Sequence, residues 1–125
     1  MAKSVLIVDD NAIFRRAMRH VFTSEGDFVV CGEAENGREA IVKAQELHPD
    51  LIVMDLAMPV MTGIDAARVL NRLMPTVPLV ILSGYSDVFS ETEFRSLGAS
   101  ALVSKSDHTS VLLGKARALL HHVAA

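Results

Sequence analysis

Five polar residues carry the chemistry this chain could do: Asp9 with Asp10, then Asp55, Ser83 and Lys105. Each follows closely on a short apolar run: 5–8, 51–54, 79–82 and 101–103. Two carboxylates 4 Å apart repel by about 4 kcal/mol at an effective dielectric of about 20, so three in one place call for a cation. An all-oxygen site with open positions suits Mg²⁺, which keeps waters and accepts phosphate oxygens. Lys105 would neutralise charge from the other side, and Ser83 would supply a hydroxyl between them. A carboxylate can attack a phosphoryl group and form an acyl phosphate. The transferred group then needs its oxygens neutralised, which is a matter of positioning and electrostatics. Asp55 is the candidate nucleophile. Singly, each residue also has a plainer role as a turn former, and Asp10 could simply cap the helix that follows it.

The elements that would gather these residues are legible in the hydropathy pattern. Apolar runs at 5–8, 28–31, 51–54, 79–82 and 101–103 are short and mostly lack polar alternation, as strands buried on both faces do. Between and after them lie helical stripes: Ile13, Phe14, Ala17, Met18, Val21 and Phe22; Ala40, Ile41, Ala44 and Leu47; Ala66, Ala67, Leu70 and Met74; Leu112, Ala116, Leu119 and Val123. The segment 87–97 is the weakest helix, rich in poor helix formers, with a capping box offered by Ser90 and Glu93. Thr62 and Asp65 offer a looser box, while Gly26 and Pro49 are stop signals. Strand and helix therefore alternate five times, which implies an α/β fold with a parallel sheet and helices on both faces. In such sheets ligands bind beyond the carboxyl ends of the strands, where all five polar residues fall.

The 125 residues make one domain, 1–125, with no further output domain expected. A net charge of −3 gives no sign of a nucleic-acid-binding module, which would normally carry a basic patch, so direct nucleic-acid binding is not expected. The longest uncharged stretch, 73–86, is short and contains Pro75 and Pro78, so no membrane span is expected. No secretory signal is visible, and the default is a soluble cytoplasmic protein. The single cysteine, Cys31, excludes an internal disulfide and reads as a small buried hydrophobe. His20, His48, His108, His121 and His122 form no ligand pattern and are expected at the surface. Arg15, Arg16 and Arg19 are expected to form a solvated helix face, with partner docking as the other reading.

Four stretches together resemble the receiver domain of bacterial two-component response regulators, over nearly the whole chain. They are Val5-Leu6-Ile7-Val8-Asp9-Asp10-Asn11, the run 49–63 with Asp55, Met58-Pro59 and Gly63 in step, Val80-Ile81-Leu82-Ser83-Gly84, and Gly98-Ala99 leading to Lys105. The resemblance is closest to receivers joined to helix-turn-helix output domains. It implies a three-layer, flavodoxin-like (βα)5 fold with a five-stranded parallel sheet in order 2-1-3-4-5. It implies Asp55 as phosphoacceptor, with Asp10 and Asp55 as Mg²⁺ ligands, Asp9 acting through water, and the Ala57 backbone carbonyl completing the set. Ser83 and Lys105 would meet the phosphoryl oxygens, and Ala57 and Tyr85 would influence acyl-phosphate hydrolysis. The implied function is a phosphorylation-controlled switch rather than a turnover enzyme. Its partners would be a histidine kinase or histidine phosphotransfer protein and a downstream output domain or protein, with homodimerisation on phosphorylation allowed.

Two positions depart from the family pattern. Leu102 stands where an aromatic usually moves inward on activation, and Ser106 stands where a proline usually follows the lysine. A cis bond before Ser106 would cost roughly 2.5–4 kcal/mol. These departures motivate an alternative, a receiver-like scaffold that acts without phosphorylation. An aspartate-nucleophile phosphatase would need an acid/base two residues after Asp55, where Ala57 stands.

Overall fold

Alternation along the strands builds two separate cores, one on each side of a central sheet. The structure, a computed structural model, describes residues 2–56, 58, 60–84, 96 and 98–124, without the side chains of 121–124. In chain order the elements are β1 (Lys3–Val8), α1 (Ala12–Thr23), β2 (Phe28–Ala34), α2 (Gly37–Leu47), β3 (Leu51–Asp55), α3 (Gly63–Leu73), β4 (Leu79–Ser83), β5 (Ala101–Ser104) and α4 (Thr109–Ala124). All neighbouring strands pair in parallel, in the order β2-β1-β3-β4-β5. This is the three-layer flavodoxin-like arrangement expected from the sequence. The expected helix at 87–97, with its Ser90–Glu93 box, lies outside the described residues save for Ser96.

Val5, Ile7, Leu51, Val53, Val80, Leu82 and Val103 point to one face and pack against Met18 and Phe22 of α1 and Leu112, Ala116 and Leu120 of α4. Leu6, Val8, Ile52, Met54, Leu79 and Ile81 point to the other and pack against Ala40 and Ala44 of α2 and Ala66, Ala67 and Leu70 of α3. The small alanines let α2 and α3 approach the sheet closely, while α1 brings the large Phe22, whose ring meets Phe28 edge-on at 5.0 Å.

Three details of the helical reading change. Ile13 is 81% exposed, and Ala17 is exposed too, so the buried stripe of α1 narrows to Met18 and Phe22, with Phe14 and Val21 half-buried. Leu47 is also exposed, at the last turn of α2. The N-cap of α1 is Asn11, whose side chain accepts from the Ile13 and Phe14 amides, so Asp10 is not spent on capping. Thr62 caps α3 as expected. His48 stops α2 in the left-handed region at φ 48°, directly before Pro49.

The second strand runs three residues past the expected 28–31 and contains a bulge. Val5 pairs with Val30 but Leu6 pairs with Gly32, so Cys31 is the extra residue. Its thiol donates to the Val5 carbonyl at 3.4 Å and is half-buried rather than fully buried. Beyond the bulge every side chain of β2 changes face, which puts Glu33 level with Ile7 on the α1 side. Among the described residues no helix is long and apolar enough to cross a membrane.

Candidate functional site

The same alternation that sorts the cores aims the site. Counting on from Val5 and Ile7, Asp9 faces the α1 side. Counting on from Leu51 and Val53, so does Asp55. Their strands are neighbours, so the two carboxylates meet at the carboxyl edge of the sheet, both buried. Asp10 stands beside them and is exposed. One carboxylate oxygen from each of the three lies within 4.8 Å of the others. Gly63 makes the close packing behind Asp55 possible, because a Cβ there would run into the Asp55 carbonyl oxygen. Its amide donates to the Leu56 carbonyl at 2.8 Å, drawing the start of α3 against the end of β3.

Lys105 enters from the turn after β5. Its ammonium donates to Asp9 Oδ2 at 2.9 Å and lies 3.3 Å from Asp55 Oδ1. It also sits 4.3 Å from the centroid of the Phe14 ring, so α1 supplies a π-face beneath the charge. Burial alone would lower the lysine's pKa, but the hydrogen bond and charge of Asp9 and the charge of Asp55 outweigh it, and the net shift is upward. The Lys105 amide donates to the Ser83 carbonyl at 2.8 Å, which fixes where the side chain begins.

Ser106 belongs to a compact turn. The Ser104 and Asp107 backbones close it at 3.0 Å, Asp107 Oδ2 accepts from the Ser104 amide at 3.2 Å, and the Ser104 hydroxyl accepts from the Ser106 amide at 3.2 Å. The Lys105–Ser106 peptide is trans. Leu102 is half-buried against the α2/α3 core.

Of the residues expected to act together, Asp9, Asp10, Asp55 and Lys105 converge. Ser83 is buried at the tip of β4, next to the strand of Asp55, and among the described residues its hydroxyl makes no hydrogen bond to the three carboxylates. Ala57 and Tyr85 lie outside the described residues. His20, His48 and His108 are exposed, as expected. The oxygen-only donor set, with two buried members and one facing solvent, fits a hard divalent cation with places left for water.

Arg15 overturns the expectation of a solvated basic face. Its side chain is 18% exposed, its Nη1 donates to the Asp9 carbonyl at 2.7 Å, and its Nε meets Glu33 Oε1 at 3.1 Å. Arg19 holds the other Glu33 oxygen at 2.8 Å. Neither Arg15, Glu33 nor Phe14 was marked for the site by sequence. The available signal was that helical side chains lean towards the N-terminus, so residues on the first turn of α1 reach back to the strand end.

The sequence matches the family described as response regulator receiver domain over residues 5–117. It is 39% identical over 105 residues to the chemotaxis protein CheY of Thermotoga maritima, covering 84% of this chain and 87% of that one. It is 42% identical over 107 residues to a protein-glutamate methylesterase/protein-glutamine glutaminase of Paramagnetospirillum magneticum, covering 86% of this chain but only 30% of the longer protein. Among solved structures, the response regulator domain of Thermotoga maritima CheB superposes with a TM-score of 0.87 at 30% identity, covering 97% of this chain and 98% of that one.

Proposed function

The chain belongs to the response regulator receiver domain family, and from that premise we propose that it is a switch whose Asp55 accepts a phosphoryl group from a phosphohistidine of a kinase or phosphotransfer protein. The observation that carries this reading is the convergence of Asp9, Asp10 and Asp55 with the Lys105 ammonium at the carboxyl edge of the sheet. Asp10, Asp55 and, through water, Asp9 would hold Mg²⁺. The Ala57 carbonyl is the fourth protein donor in the proposal. When bound, Mg²⁺ supplies charge neutralisation for the oxygens of the transferred group.

The rest falls to this chain's own groups. An Asp55 carboxylate oxygen attacks phosphorus, the new P–O bond forms as the donor's P–N bond breaks, and the imidazole leaves with the electron pair. Lys105 exchanges its contact with Asp55 for one with a phosphoryl oxygen while Asp9 keeps its ammonium in place. Ser83, on the adjacent strand, would turn its hydroxyl to another phosphoryl oxygen. Ala57, with no carboxylate, leaves no acid/base for rapid turnover, so the aspartyl phosphate is a signal rather than a catalytic intermediate.

Incubation with acetyl phosphate and Mg²⁺, followed by intact mass measurement, should give one phosphoryl adduct that is absent from Asp55→Asn and absent in EDTA. No adduct on the wild type with Mg²⁺, or an equal adduct on Asp55→Asn, would overturn the reading. Partner binding that is indifferent to beryllofluoride would favour a scaffold instead.

A further inference from the structure

Asp10 has no hydrogen bond to its carboxylate among the described residues, yet it is the exposed arm of the cation site. Its direction is therefore set by the backbone that presents it, and that backbone is held with care. The Asp9 amide donates to the Ala34 carbonyl at 3.0 Å, and Asp9 Oδ1 accepts from the Asn11 amide at 2.8 Å. The Asp9 carbonyl, which belongs to the peptide leading into Asp10, accepts from Arg15 Nη1 at 2.7 Å. Arg15 is oriented by Glu33, the residue next to Ala34, so the contacts close a ring from β1 to β2 to α1 and back. The bulge at Cys31 is what turns Glu33 to the α1 side of the sheet.

We infer that Arg15, braced by Glu33, is a positioning residue for the cation site: it fixes the Asp9–Asp10 peptide plane and thereby the affinity for a divalent cation. This rests on the Mg²⁺ reading above. The Glu33 carboxylate offsets the guanidinium charge, so the pair acts on the site through geometry rather than through net charge.

That distinction gives the test its sign. Arg15→Met removes a positive charge near three carboxylates, so a purely electrostatic role would tighten Mg²⁺ binding. A positioning role weakens it, by about tenfold as for other residues that orient metal ligands. Arg15→Lys keeps the charge but loses the two-pronged fork, and should weaken binding by less. Mg²⁺ is titrated into the full chain and followed through the Asp10 and Asn11 amide resonances, with thermal unfolding as the check on folding. Labelling by acetyl phosphate at rising Mg²⁺ gives the second readout. The half-saturating Mg²⁺ concentration should rise in both variants while the plateau rate stays near wild type.

Unchanged or tighter Mg²⁺ binding in either folded variant overturns the inference. So does a lowered plateau with an unchanged half-saturation, which would place Arg15 in the phosphoryl step. Should Arg15→Met fail to fold, Arg15→Lys decides. Absence of Mg²⁺ binding by wild type would bring down the cation-site reading and this inference together; wild-type binding matched by the variants would bring down this inference alone.

Discussion

Asp9, Asp10 and Asp55 are held together against their own repulsion, with Lys105 as the ammonium bridging two of them. The metal-free fold should therefore be less stable than its packing allows. Asp10→Asn removes a charge from the exposed side without emptying core volume, and should stabilise the domain in EDTA by about 1–2 kcal/mol. In excess Mg²⁺ the wild type should gain stability as the cation binds the folded state, and the variant should lose that gain. Urea midpoints with and without Mg²⁺ check both halves, and an unshifted midpoint in EDTA would mean that the repulsion is already relieved. Cys31 gives a second residue-scale expectation. Burial pushes its thiol above the ordinary range, so the folded state holds the proton longer than the unfolded chain does. Its contribution is complete below the ordinary thiol pKa and is lost as pH rises through the raised value. Alkylation by iodoacetamide should be slower in the native protein than in urea across mildly alkaline pH. Equal rates would contradict the shift. The converging acids and lysine were legible in sequence because each ends or follows an apolar run, and strand tips share an edge. Arg15 was not, because its partner Glu33 lies on another element and faces it only through a bulge.

The bulge shows why reading element by element stops where it does. Period-2 counting from Phe28 and Val30 assigns Glu33 to the α2 side, yet one extra residue at Cys31 reverses that. Nothing in a run of Val, Val and Cys announces the insertion, since register belongs to a pair of strands rather than to one. Strand existence and the meeting of Asp9 and Asp55 at one edge were readable in the residues, whereas the strand order came with the family resemblance. The shared face of the two carboxylates follows from β1 and β3 pairing without interruption. The exposure of Ile13 was not, because an apolar residue on the first turn fits the helical stripe whether or not a neighbour covers it. The loop between β3 and α3 carries its own cost. Val60 lies at φ 70° and is 75% exposed, so a β-branched side chain occupies left-handed backbone without packing in return. Val60→Asn should stabilise the domain by roughly 1 kcal/mol, since Asn tolerates that conformation. Val60→Gly should gain less, because glycine also frees the unfolded chain. Chemical denaturation of the two variants reads the difference, and a loss in both would show that Val60 is held by contacts its exposure conceals.

At the scale of the whole molecule, α4 closes the α1 side of the sheet and is latched at the end opposite the site. Arg117 donates from Nε to Asp27 Oδ2 at 2.8 Å and from Nη2 to Asp27 Oδ1 at 3.0 Å, and reaches Glu25 Oε1 at 2.6 Å. Its guanidinium also lies 5.6 Å from the Phe28 ring centroid, above the aromatic pair that anchors α1 to β2. Hydrogen bonds from Asp27 and Glu25 push the guanidinium pKa upward, so it stays charged throughout the range in which the domain is folded. The latch joins α4 to the α1–β2 connection, while Lys105, in the turn before α4, joins the same region of chain to Asp9 and Asp55. The stretch from β5 through α4 is thus tied at both edges of the sheet, one tie within the site and one remote from it. Arg117→Gln should release only the remote tie. Amide exchange should quicken in α4 and at the start of β2, with little change at Asp9 and Asn11. Because the latch is exposed, the difference from wild type should shrink as salt is raised. Mg²⁺ affinity should stay at the wild-type value, in contrast to the Arg15 variants. An equal loss of Mg²⁺ binding would show that the two ends of the sheet are mechanically coupled through α4, and that the site draws its geometry from the whole α1 face rather than from the ring around Asp9.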